Sequence, residues 1–168
     1  MRVVEPKTSS NRGWTVWAWI WNSVVSGLCG SVASTALMYF KARAGILPSF
    51  QPFENFQAAV GYLFGHEIHP QVLWLLSFFN GSTVVGLAFG YLYRHLPGGG
   101  GASKGLAFGL CGWLLMNTLA FPLVGLGLFA NATGLGPWPA LFSLAMLSTY
   151  SLAMGLVYGA LERSNGNQ

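Results

Sequence analysis

The residues best suited to chemistry in this 168-residue chain lie in one short stretch, His66-Glu67-Ile68-His69-Pro70. Two imidazoles and a carboxylate so close together can approach one metal ion. The metalloprotease pattern H-E-x-x-H sets both histidines on one helix face. Here the second histidine comes one residue early and Pro70 follows it. His66, Glu67 and His69 are therefore weak candidate metal ligands, with no further ligand visible in the sequence. A loop carrying interfacial histidines accounts for the same residues.

Other patterns are weaker. The turn Arg94-His95-Leu96-Pro97 followed by four glycines leads to Lys104, but without the G-x-x-x-x-G-K-[ST] spacing that cradles phosphate. Its basic residues are suited to anionic lipid instead. Cys29 and Cys111 lack a C-x-x-C companion and read as buried, inert thiols. Asn80 and Asn117 fall inside apolar runs. A side-chain amide is costly against lipid, so each is expected to face the bundle or a partner. No nucleophile triad, paired carboxylate or nucleotide fingerprint is present in sequence.

The elements that must position these residues follow from composition. Hydrophobic residues make up 53% of the chain and charged residues 7%, against about 25% charged in a soluble domain. So few charges cannot cover a water-exposed surface, which excludes an ordinary soluble enzyme, a disordered chain and a disulfide scaffold. A span needs about 20 mostly apolar residues. Four runs qualify, at about 14–40, 72–93, 105–129 and 140–161, and helix is the form that satisfies backbone groups in lipid. The fold expected is an all-α integral membrane protein, with residues 1–168 as one transmembrane domain. The first run is too long for the apolar core of a cleaved signal peptide and reads as a retained helix. Pro122 should kink the third helix. Between the first two spans, residues 54–64 read as a short interfacial helix on the periplasmic side.

Charge bias orients the chain. Arg2, Lys7, Arg12, Arg94, Lys104 and Arg163 fall on one side and only Lys41 and Arg43 on the other. Both termini are thus expected to be cytoplasmic. Tryptophans at 14, 17, 19, 21 and 138 suit the bilayer interface.

The ends of spans two and four share the pattern G-L-small-aromatic-G-x-L-x-R, at 86–94 and 155–163. Spans one and three align in either of two registers, Gly27 with Gly105 or Gly27 with Gly109. This points to a tandem two-helix repeat with a pseudo-two-fold axis along the membrane normal. Lipid provides no hydrophobic drive for helix pairing, so small residues mark close approach. Gly27, Gly30, Gly86, Gly90, Gly105, Gly109, Gly112, Gly155 and Gly159 are the expected packing positions, at spacings of three and four.

The segments 45–56, 69–81 and 94–127, with the pieces G-I-L-P-S-F-Q-P-F-E-N-F, H-P-Q-V-L-W-L-L-S-F-F-N-G, Y-R-H-L-P-G and K-G-L-A-F-G-L-C-G-W-L-L-M, resemble a small bacterial membrane family known only as a domain of unknown function. The resemblance implies four membrane helices and a bacterial inner-membrane setting, and brings no catalytic residues.

The function expected is that of an accessory or structural subunit of a larger membrane complex, without catalytic chemistry of its own. The alternatives are a small transporter or channel, or a cofactor-binding membrane protein using the 66–69 segment. The sequence implies no particular cofactor. The partners expected are membrane lipids and other membrane subunits, not nucleic acid.

Overall fold

The computed structural model describes residues 10–46 and 69–166. The proposed interfacial helix 54–64 and the residues His66 and Glu67 lie outside them. Among the described residues the chain is all-helical. Helix α1 is Ser10–Arg43. Helix α2 runs through Pro70–Asn80, a π-turn at Gly81–Val85 and Gly86–Leu92. Helix α3 runs through Gly101–Leu115, a π-turn at Met116–Ala120 and Phe121–Leu123. Helix α4 is Trp138–Gly166. Each is long and apolar enough to cross a membrane.

The third span ends earlier than hydropathy suggests. It was expected to reach residue 129 with a kink at Pro122, but the helix stops at Leu123. Proline lacks the N–H that continues the ladder. The turn before it widens, and the Phe121 N–H reaches back five residues to the Met116 carbonyl. Gly125 and Gly127 then take positive φ, as do Phe129 at 52° and Ala130 at 58°. That backbone conformation is uncommon for residues with a Cβ. It folds 121–130 into a small apolar cap in which Phe121, Leu126 and Ala130 are buried together.

The helices pack in the spatial order α2–α1–α4–α3. Helix α1 lies along the Gly81–Leu92 part of α2 and along α4, and α3 lies along α4. The expected glycine positions explain why. A Cβ on Gly27 would come 2.5 Å from the Ser82 carbonyl oxygen and 3.0 Å from the Gly86 Cα. One on Gly86 would come 2.5 Å from the Ser23 carbonyl oxygen. On the other side of the bundle, a Cβ on Gly105 would strike the Ser151 carbonyl, and one on Gly155 would strike the Gly101 carbonyl. Backbones this close gain dispersion contacts that larger residues would prevent. Gly30 lets α1 lie on α4, since its Cβ would come 2.8 Å from the Tyr150 carbonyl oxygen. Gly90 and Gly159 sit one turn beyond their crossings, facing Ser23 and Gly101.

Gly112 departs from the expected packing role. The nearest atom to its Cβ would be Leu147 Cδ2 at 3.5 Å, an ordinary contact, because the helix surface there faces open space.

Candidate functional site

That open space is a cleft between α2 and α3, with a volume of about 730 Å³ and walls from all four helices. Its origin is local. At the end of the bundle near the α2–α3 turn, side chains bring the two helices together. The Phe89 and Phe108 rings meet edge to face with centroids 5.2 Å apart, and Lys104 Nζ lies 4.2 Å from the Tyr93 ring centroid. Tyr158 and Met154 complete this aromatic core. Bulky rings set the spacing there, whereas glycine sets it between α1 and α4. Beyond the rings α2 and α3 make no extended contact.

Most of the polar side chains buried inside the spans find their partners within the bundle. Buried serines bond back to carbonyls of their own helix: Ser23 to Trp19, Ser82 to Phe78, Ser143 to Ala140 and Ser151 to Leu147. Such bonding satisfies a hydroxyl without a partner helix. The Tyr150 hydroxyl crosses from α4 and donates to the Gly81 carbonyl of α2, at the start of the π-turn. Asn117 is fully buried. Its Nδ2 donates to the Trp113 carbonyl at 2.9 Å and to Ser143 Oγ at 3.3 Å, while Trp113 Nε1 donates to the Ala140 carbonyl at 2.9 Å. The Asn117 Oδ1 is buried without a partner.

Asn80 behaves differently from Asn117. In the chain by itself it is exposed, on the wall of the cleft that all four helices line. Ser77, three residues earlier on the same helix face, lines the cleft too. Among the described residues, neither side chain has a hydrogen-bond partner. Sequence reasoning passed over Ser77. The available signal was its spacing of three from Asn80 in an otherwise apolar run.

Of the metal-ligand candidates only His69 lies among the described residues. His69 is exposed before α2, where its Nδ1 accepts from the Gln71 N–H at 3.3 Å, a helix-capping role. Among the described residues no group of three His, Cys, Asp or Glu could hold a metal. Cys111, expected to be buried, is exposed, and Cys29 is only partly covered. Gly105, Gly109 and their α4 contacts occupy the inner face of α3, which turns position 111 outward. Just beyond the second span, burial and then the Glu162 carboxylate push the Tyr93 phenol above its ordinary pKa, with Arg163 opposing.

Four apolar helices with buried polar crossings and apolar outer faces define a multi-pass integral membrane protein. The chain belongs to the Family of unknown function (DUF6789), which it matches over residues 18–168. Comparison with curated proteins and with solved structures gives no match.

Proposed function

We propose that this chain is an accessory, structural subunit of a larger membrane complex, without catalytic chemistry of its own. The observation that carries this reading is the use made of polar groups inside the spans. Ser23, Ser82, Ser143, Ser151, Tyr150 and Asn117 all bond to the helices themselves. Tyr150 ties α4 to α2 and Asn117 ties α3 to α4, while the serines are satisfied within their own helices, so these groups serve the bundle itself, as a scaffold requires. The outward faces are broad and apolar, including Trp17, Trp21, Leu110 and Leu114, and can meet lipid or neighbouring subunits.

The scaffold is proposed to be a tandem duplication. The shift that carries Gly86 to Gly155 also carries Ser82 to Ser151. The shift that carries Gly27 to Gly105 carries Ser23 to Gly101. The pairs Gly27–Gly86 and Gly105–Gly155 then make corresponding contacts with corresponding carbonyls, which supports the Gly27-to-Gly105 register. The charge asymmetry supports cytoplasmic termini, and the bacterial resemblance of 45–56 and 69–81 supports an inner-membrane location.

Isolation from native membranes in mild detergent tests the subunit reading. Recovery with larger subunits at fixed stoichiometry, lost on chain deletion, is the expected result. A homo-oligomer that conducts water or ions would overturn it in favour of a channel.

A further inference from the structure

We propose that the end of the bundle at the α2–α3 turn is a binding site for a phosphate group, that of an anionic phospholipid head. The site is formed by Arg94 just past α2, Lys104 in the first turn of α3 and Arg163 near the end of α4. This goes beyond the scaffold reading and does not depend on it.

Glycine packing brings the three side chains to one place. A Cβ on Gly159 would lie 3.2 Å from the Gly101 Cα and 3.1 Å from the Tyr93 hydroxyl, so α4, α3 and the end of α2 meet there. Arg163 is one turn beyond Gly159 on the same face of α4, and Lys104 is one turn beyond Gly101 on the same face of α3. Arg94 follows Tyr93 directly. Lys104 Nζ stands 4.2 Å from the Tyr93 ring centroid. Arg163 acts electrostatically on the Tyr93 hydroxyl and Arg94 on that of Tyr158, and the two rings are 4.5 Å apart between centroids.

The protein does not neutralise these cations. Among the described residues none of the three forms an ion pair. Glu162 is the only acid among them, and it accepts the Tyr93 hydroxyl bond. The ring beneath Lys104 has no net charge. Three cations against one carboxylate leave an excess of two positive charges at this corner. An anion among them relieves their mutual repulsion, and guanidinium forks match the oxygens of a phosphate.

Depth selects a lipid as the source. The second span ends at Leu92, the third begins at Gly101 and the fourth ends at Ser164. The three cations therefore stand at the edge of the hydrocarbon, the level of the headgroups. Lys104 is half-buried, which fits a stem along the helix and an ammonium at the interface. Tyr91, one turn before Arg94, is exposed and offers apolar surface to the acyl chains. The approach is open, because a Cβ added at Gly99 or Gly100 in the turn would meet nothing within 4 Å.

The test uses the full chain in detergent under native mass spectrometry. It is titrated with phosphatidylglycerol and with phosphatidylcholine, whose choline cancels the phosphate charge. Inorganic phosphate is the competitor. The expected result is one phosphatidylglycerol adduct per chain, no phosphatidylcholine adduct at the same concentration, and no displacement by millimolar phosphate. Arg94→Gln and Arg163→Gln should each weaken the adduct about tenfold, the loss of one hydrogen bond to a charged group. Arg43→Gln removes the same charge from the last turn of α1 and should leave the adduct unchanged. Both site arginines are exposed, so their variants keep the fold, which size exclusion verifies. Equal retention of the two lipids overturns the proposal. So does an Arg43→Gln effect as large as that of Arg163→Gln, which would show diffuse attraction and no site. Displacement by inorganic phosphate overturns the lipid as the source and assigns the site to the free anion.

Discussion

The Tyr150 hydroxyl on α4 donates to the Gly81 carbonyl on α2, passing over Gly30 of α1, which has no side chain to block it. One bond thus ties the two hairpins together at the height where α2 widens into its π-turn. Tyr150→Phe keeps the ring and removes the bond. It should lower stability by about 1 kcal/mol, in line with hydrogen bonds between membrane helices. Unfolding titrations in mixed micelles measure this, and an unchanged midpoint would show that the bond contributes nothing.

Glycine crossings should be far less tolerant. An Ile at Gly86 or Gly155 would press a branched side chain against the Ser23 or Gly101 carbonyl, and these backbone atoms cannot swing aside. Each should cost about 3 kcal/mol or more, the upper range for overpacking. Gly112→Ala, facing open space, and Leu92→Ile, at an exposed site, should behave like the parent. Folded yield by size exclusion at matched expression reports the difference. Equal yields for all four variants would remove the close-packing assignment.

Asn80→Leu should raise the stability of the protein by about 1 kcal/mol, because it removes an exposed amide that has no hydrogen-bond partner among the described residues. Thermal melts of the parent and the variant in the same detergent check the sign, and an unchanged or lower midpoint would overturn it.

Orientation can be read by labelling in intact cells. After Cys29 and Cys111 are replaced by Ala, single cysteines go at Gly99 and Ala132, both exposed and at opposite ends of α3. An impermeant maleimide should label position 132 and spare position 99. The reverse pattern would invert the topology inferred from charge.

Hydropathy alone was enough to find the four spans, because a run of about 20 apolar residues has few other fates. Small-residue spacing likewise announced Gly27, Gly86, Gly105 and Gly155, since close approach between membrane helices requires them. The sequence could not say which face of each helix points inward. In water an apolar stripe marks the core face, but here lipid and core are both apolar and the stripe disappears. Asn80 and Asn117 therefore looked equivalent, yet one faces a cleft and the other is sealed against Ser143. Cys111 looked buried for the same reason and is not. The cleft itself depends on a difference between interfaces. Gly30 admits Tyr150 between α1 and α4, while Phe108 meets Phe89 between α2 and α3. Only when these side chains are set against one another in three dimensions does a gap open along α2 and α3, because residues far apart in the chain set the spacing of that interface.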